Sequence, residues 1–598
     1  VSGIVYFVNS SIMKNKIRIF RKTQRKRSAS HHPLLAFDIE NDPITGAFIN
    51  AGVYGYKKSR GHHNTKDEQI EEFFTNQDEF HEFLLNLRPE GMKEIPCKLI
   101  TFNLSYDLWF CMKITKDNKT LSNGSNIIVA ELDNGLEIMD LTNLTRKGSL
   151  EDWIGYLKED MNKYGIYKKE SLDNLEIRVK SDAKATWILG NYLENFFVHE
   201  IGIPLKLTIA SAARYLFSLC FFTDYWFREE KDLWKSEYER KAYRGGRTEA
   251  FKGGVERVFV GYDVNSMYLS IMRDEVFPDP NSAKYVREPK VLPQDVLYIA
   301  DVTVNIPEQY IGVLPKLNPD DGKLIFPTGT FRGHFVSPEL NYSIKECGVK
   351  IIKIHSLIKY KSKPYFKKYA EFIWKKRKEY KDKHNKGMDI LIKYLGNVLY
   401  GGFGQKNKDS FFGKLEDLTL KFVSDNKARP KITIIDGVKY VTVTATEGED
   451  SKHTFPCIPT FITSYSRLFL LKALRANADI LIYTDTDSMK VRNTPKDVVI
   501  GDGLGEWGYE GVDINVPVYK SKMYGDKCKG VPKRAELVWE DKVRKIYTYE
   551  KPNKMKESFR RGLTPALWKK VTKEVSKIDD KRVWIDEKTS MPPVLIII

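Results

Sequence analysis

Apolar residues in this chain recur in short runs, and several of the runs end in an acid. Pro33-Leu34-Leu35-Ala36-Phe37 reads as a buried strand leading into Asp38-Ile39-Glu40. Strand side chains alternate between two faces, so Asp38 and Glu40 share one of them. Leu99-Ile100-Thr101-Phe102 is a second short strand, followed by Asn103-Leu104-Ser105-Tyr106-Asp107. A helical period then carries Asp182, with Ala183, Ala185, Ile188 and Leu189 as its apolar companions. Val258-Phe259-Val260-Gly261-Tyr262 ends in Asp263, and Ile480-Leu481-Ile482-Tyr483 ends in Asp485-Thr486-Asp487-Ser488. Ile432 to Val443 alternates about Asp436-Gly437, the pattern of a β-hairpin with a two-residue turn.

Two carboxylates one residue apart at a strand end repel each other, and a cation between them and a partner relieves the repulsion. The bland alternative for Asp485-Thr486-Asp487 is a solvated turn. A second strand-end acid, Asp263, from a distant part of the chain favours a two-metal site for phosphoryl transfer. Composition agrees with a polyanionic partner: the 598 residues carry a formal net charge of +18. A Lys-rich codon bias would also raise that charge. The length implies several domains, and the hydrophobic fraction of 42% suffices for globular cores. The six cysteines include no C-x-x-C pair and outline no disulfide framework, which argues for a reducing compartment and against a zinc or iron–sulfur tail. No apolar run reaches membrane-spanning length, so no membrane partner is expected. The first 37 residues contain no acid, and Lys14 to Arg27 holds eight basic residues. That segment reads either as a mitochondrial transit peptide or as a nucleic-acid arm.

The strand ends resemble motifs A and C of family B DNA polymerases, roughly D-x-x-S-L-Y-P and Y-x-D-T-D-S. Tyr483 to Ser488 matches motif C fully. Asp263-Val264-Asn265-Ser266-Met267-Tyr268-Leu269 matches motif A at Asp263, Ser266 and Tyr268, with Leu269 in place of proline. Between them, Lys393 to Gly401 resembles motif B, with Val398 replacing the usual serine. Ahead of them Asp38, Glu40, Asp107 and Asp182 resemble the three Exo motifs of a proofreading 3′–5′ exonuclease, although each taken alone reads as a surface acid or helix cap. The third Exo motif is Y-x-x-x-D, and here Arg178 stands at the tyrosine position. Tyr164 or Tyr167 substitutes only if the intervening loop folds back. Ser149-Leu150 resembles the pair that holds single-stranded primer ends, with a helix N-cap at Ser149 as the alternative. Tyr243-Arg244-Gly245-Gly246-Arg247 resembles the Y-x-G-G link between modules, with glycines for close approach and arginines suited to phosphate. Lys520-Ser521-Lys522-Met523-Tyr524 resembles the K-x-Y element at the primer terminus, and Lys527, Lys529 and Lys533-Arg534 continue the basic stretch.

Two long insertions, one between motifs A and B and one between B and C, point to the protein-primed branch of terminal-protein phages and linear plasmids. The resemblance implies a multidomain α/β and α+β chain: an RNase H-like exonuclease domain, then a right-hand polymerase with palm, fingers and thumb and two protein-priming insertions. The expected boundaries are a basic extension at 1–33, exonuclease at 34–215, linker and first palm part at 216–275, and first insertion at 276–360. Fingers follow at 361–404, the second insertion at 405–454, the second palm part at 455–538 and the thumb at 539–598, with Arg560, Arg561, Lys569 and Lys570 in its grip.

The resemblance also implies roles. Asp263 and Asp487 hold two Mg2+ ions, with Mn2+ as a substitute, the Val264 carbonyl assists, and Asp485 supports. Lys393, Arg377 and Lys381 face the triphosphate of the dNTP; Tyr268 excludes a ribose 2′-hydroxyl; Asn397 and Tyr400 flank the nascent base pair. Asp38, Glu40, Asp107 and Asp182 hold two further ions. Asn103, Ser149, Leu150, Tyr243, Arg244, Gly245, Gly246, Thr486, Lys522 and Tyr524 contact DNA. The implied partners are template and primer DNA, dNTPs and a terminal protein acting as primer, for a monomeric enzyme in the mitochondrion if a linear plasmid encodes it, or in the host cytoplasm otherwise. A reverse transcriptase also uses a strand–turn with two aspartates, and a degenerate, non-catalytic scaffold is the third reading.

Overall fold

The computed structural model describes residues 18–23, 32–42, 47–58, 67–111, 119–123, 126–157, 174–407, 410–414, 431–435, 438–444, 449–528, 531–532, 534–552 and 568–596. Lys14, Tyr164, Tyr167, the Asp436-Gly437 turn, Lys529, Lys533, Arg560 and Arg561 lie outside the described residues.

The first domain is built on a seven-stranded sheet. Its central strand, Leu34–Asn41, runs parallel to Lys98–Thr101, which runs parallel to Glu137–Asp140. Antiparallel strands extend both edges. Period-two alternation sends Leu35, Phe37 and Ile39 into one core, with Phe80 and Leu84 of helix Gln77–Asn86 and Leu104 and Leu108 of helix Leu104–Cys111. Leu34 and Ala36 face the other way, toward Ile188 and Leu189 of helix Leu175–Asn195. Asp38 and Glu40 continue that second face, so they point at the helix that carries Asp182. Gly52, paired in register with Asp38, lets the helix come close: a Cβ there would stand 2.7 Å from the Val179 carbonyl oxygen.

The palm is a second seven-stranded sheet, antiparallel at every pairing. Its centre holds strands Leu481–Asp485, Ser488–Val491, Gly254–Val264 and Trp507–Lys520. Helix Cys457–Ala476 and helix Met267–Asp274 pack with it in one large core. The fingers are a helix pair, Lys367–Asp382 and Lys386–Gly404.

The stretch after the first palm strand forms its own sheet, with strands Lys284–Arg287, Leu297–Ile306, Thr328–Val336 and Lys350–Tyr360. A fifth strand, Val594–Ile596, joins parallel to Thr328–Val336. The final residues, expected with the thumb, therefore return to this sheet, and buried Arg582 meets Glu249 of the palm. The thumb region itself shows a three-stranded sheet of Glu536–Glu540, Arg544–Pro552 and Trp568–Ser576. In the second insertion Lys431–Ile435 and Val438–Thr444 pair as the predicted hairpin, and Ser410–Lys414 adds a third strand.

The basic extension is partly built into the fold. Arg18–Arg21 pairs antiparallel with Tyr225–Arg228, and Phe20, 3% exposed, lies in the main core. The described part of this segment thus packs against the main core. All six cysteines are free thiols. Among the described residues no helix is long and apolar enough to cross a membrane.

Candidate active sites

In the palm, backbone register sets the carboxylates side by side. Asp263 pairs with Ser488, Asp485 also pairs with Ser488, and the Val264 N–H donates to the Asp487 carbonyl at 2.8 Å. Thr486 forms the apex of the turn with φ 62°, a left-handed conformation unusual for a β-branched residue. Its N–H donates to the Arg247 carbonyl at 2.6 Å, which ties the turn to the segment after the two glycines. Burial, then Asp487 and Glu510, raise the Asp263 carboxyl to about 7, while Lys393 and Lys490 oppose the shift. Asp487 is also raised, first by burial and then by Asp485, against Lys393 and Lys522. Two acids whose carboxyls are raised by burial and by neighbouring acids in a half-buried cleft fit a divalent cation.

Lys393 is exposed on the fingers helix, and its charge reaches both aspartates. One and two turns on, Asn397 and Tyr400 follow on the same helix face. The Tyr400 ring lies 4.8 Å from that of Tyr268 at 35°. Leu269, at the family's proline position, is buried and packs where Gly396 lets the helix approach. Arg377 donates to Asp389 at 2.8 Å and to Ser266 Oγ at 2.6 Å, joining the two fingers helices to motif A. Lys381 is exposed one turn further along.

The Y-x-G-G segment is seated on motif C. A Cβ on Gly246 would stand 2.7 Å from the Thr486 side chain, whereas Gly245 faces open space. Arg467, held by Glu339 in a buried pair, donates to the Arg244 and Gly245 carbonyls. Tyr243 is half-buried near Arg240 and Arg467, and Arg244 donates to the Tyr243 carbonyl at 2.9 Å. Arg247, which by type suits phosphate, is instead 1% exposed, paired with Glu249 and stacked over Phe326. Its burial leaves no approach for a phosphate. Lys522 pairs with Asp485, and its N–H donates to the Tyr483 hydroxyl. Tyr524 packs beneath motif C on Tyr483 and Phe259.

The second cleft collects Asp38, Glu40 and Asp182, whose nearest carboxylate oxygens all lie within 4.8 Å of one another. Asp107 is buried beside them and accepts from the Thr101 hydroxyl at 2.6 Å; burial is the main cause of its raised pKa. Burial first and Asp107 next raise Asp38, and burial with Glu40 and Glu151 lifts Asp182 to about 6 against the pull of Arg178. Arg178, on the same helix as Asp182, forms an ion pair with Glu40, its Nε 3.0 Å from Oε1. Asn103 is exposed at φ 88° and starts the helix that carries Asp107. Ser149 is the N-cap of helix Leu150–Tyr156 in a reciprocal box with Asp152, and Leu150 packs on the core, as the N-cap alternative predicts. That helix nonetheless brings Glu151 close enough to act on Asp182.

Three contributors escaped the sequence reading. Asp140 accepts from the Asn103, Leu104 and Thr142 N–H groups and so anchors the Asp107 helix. Its signal was there: it ends the apolar strand Glu137–Asp140 and, like Asp38 and Asp263, follows apolar residues. Glu510, paired with Lys490, and the Arg467–Glu339 pair carry no local sequence signal.

Comparison with known proteins follows the same division. The family model for DNA polymerase type B, organellar and viral, matches residues 61–473. This chain belongs to that family. The protein-primed branch of family B, expected from motifs A, B and C together with the two insertions, is supported, with phage relatives among the matches. The DNA-directed DNA polymerase of Enterobacteria phage PRD1 is 24% identical over 536 residues, 87% of this chain and 88% of that protein. A probable DNA polymerase of Podospora anserina is 24% identical over 415 residues, 58% of this chain but 33% of its own length. The chain likewise spans less than half the length of its other fungal relatives. Phi29 DNA polymerase, solved with primer–template DNA and incoming nucleotides, superposes with a TM-score of 0.64 at 14% identity, over 92% of this chain and 99% of that one. The fold is thus the exonuclease-plus-right-hand arrangement of that polymerase.

Proposed function

We propose that this chain is a DNA-templated DNA polymerase that adds deoxynucleotides to a primer 3′-hydroxyl, starts synthesis on a terminal-protein hydroxyl, and carries a 3′–5′ exonuclease in its first domain. The observation that carries the reading is the pairing of Asp263 and Asp487 at adjoining strand ends beneath Lys393, Tyr268 and Tyr400. Asp263 and Asp487 would hold Mg2+ ions, whose Lewis acidity favours the 3′-alkoxide and the departing pyrophosphate. Lys393 offsets charge building on the phosphates. Tyr268, held by the Tyr400 ring, closes the space a ribose 2′-hydroxyl needs. The Gly246–Thr486 contact holds the motif C turn rigid against the module link. Asp38, Glu40 and Asp182 would seat divalent cations for attack of water on a terminal phosphodiester.

The relatives' viral and organellar character supports a linear plasmid or viral genome as the replicon, with a mitochondrial location in the plasmid case. Extension of a primed DNA template, compared with an RNA template, in Mg2+ and dNTPs separates this reading from a reverse transcriptase and from an inert scaffold. Incubation with a candidate terminal protein and one labelled dNTP, read on a denaturing gel, tests priming: a labelled protein band is expected.

A further inference from the structure

Arg178 and Asp182 lie four residues apart on one face of helix Leu175–Asn195, so the packing that delivers the acid to the cleft delivers a guanidinium with it. Arg178 Nε holds Glu40 Oε1 at 3.0 Å, while the side chain stays 44% exposed toward the cleft mouth. A guanidinium is permanently charged, donates only, and ligates no metal. Glu40 therefore spends one oxygen on a fixed cation, within a cluster whose carboxylate oxygens already crowd within 4.8 Å. A second divalent ion in the cleft would have to share the Glu40 carboxylate with this guanidinium, which repels it. With a neutral residue at this position both Glu40 oxygens would be open to ions.

We infer that Arg178 is a built-in cation that stands in for one of two divalent ions, so that the exonuclease cleft of this chain binds a single ion, seated by Asp38, Glu40 and Asp182. The inference rests on the exonuclease reading above. Arg178 is then a positioning residue: it fixes the Glu40 carboxylate and compensates charge without touching the reacting atoms.

The test counts Mn2+ bound to the full chain, from the free-ion signal in electron paramagnetic resonance. The background is Asp263→Asn with Asp487→Asn, which removes the polymerase site from the count. One ion is expected with Arg178 in place. Arg178→Tyr should bind two, the second at least about tenfold more tightly than in its parent. Equal counts and affinities in the two proteins overturn the inference while leaving the exonuclease reading standing. No ion in either, unchanged by Asp38→Ala with Glu40→Ala, overturns both. If Arg178→Tyr fails a circular-dichroism check of folding, Arg178→Lys and Arg178→Ala carry the comparison. Lysine should keep the count at one and alanine should raise it, and the reverse pattern refutes the charge argument.

Discussion

The two clefts solve one problem, the crowding of carboxylates, by different means. In the palm, Asp263 and Asp487 sit on neighbouring strands, and their spacing follows from ladder hydrogen bonds. Three lysines, Lys393, Lys490 and Lys522, act on the group, one of them from the fingers. In the first domain the acids come from a strand and two helices, so side-chain packing sets their spacing. There the compensating cation, Arg178 on Glu40, comes from the helix that carries Asp182. A site built by register can take its cations from separate elements, Lys522 on Asp485 among them, because the backbone keeps the acids in place. A site built by packing has no such brace, and its cation comes in on the same helix as one of its acids.

The strongest way to break this comparison is to remove one acid from each cleft. Asp487→Asn should lower primer extension on the order of a thousandfold or more, by several kcal/mol of lost transition-state stabilisation, and leave DNA binding and single-strand degradation intact. Extension near the parent rate would falsify the metal assignment. Conversely, Asp38→Ala with Glu40→Ala should abolish degradation of a labelled single strand and spare extension; loss of both activities would mean that the clefts are not independent.

A smaller effect probes the fingers side of the palm. Tyr268→Val should raise ribonucleotide incorporation by roughly 10–200-fold, the range of one steric contact. Unchanged discrimination between dNTPs and rNTPs would remove Tyr268 from the gate. Packing in the other cleft can be tested at Gly52. Gly52→Ala sets a methyl 2.7 Å from the Val179 carbonyl and should displace the helix bearing Asp182 and Arg178. The expected cost is about 1–3 kcal/mol of first-domain stability with slower degradation, while extension holds. Equal loss of both activities would show a global rather than a local defect.

The smallest effect is on stability and pH. The Asp263 carboxyl lies at about 7 and that of Asp182 at about 6, both above the ordinary value because burial and neighbouring acids disfavour the charge. An acid raised in the folded state binds more protons there than when unfolded. Its penalty is therefore full above the folded pKa and is relieved as pH falls through that pKa toward the unfolded one. Metal-free protein should melt higher near pH 5.5 than near pH 7.5, at about 2–4 °C per kcal/mol. Asp263→Asn and Asp182→Asn should each shrink the difference, and a melting temperature that instead rises with pH would contradict the burial of these groups.

Much of this was legible along the chain. Apolar runs followed by acids located Asp38, Asp263 and Asp487: Asp263 and Asp487 lie where strands end, and Asp38 lies within its strand on the face turned toward the helix that carries Asp182. Asp140 carried the same signal and was passed over. The hairpin at Lys431–Thr444 was readable from alternation about its Asp-Gly turn, and the helix pair of the fingers from the motif B resemblance. Arg247 was misleading, since residue type says nothing about which acid lies opposite in space.

The sequence alone determined the family, the order of its modules and the identity of the acids, because those are properties of motif and periodicity. Only the tertiary structure decided that Arg178 closes on Glu40, that Arg467 and Glu339 support the link beneath motif C, and that Val594–Ile596 returns to a sheet begun some three hundred residues earlier. Those partners are far apart along the chain or on different elements. Their pairing follows from how helices and strands pack, which no local pattern encodes.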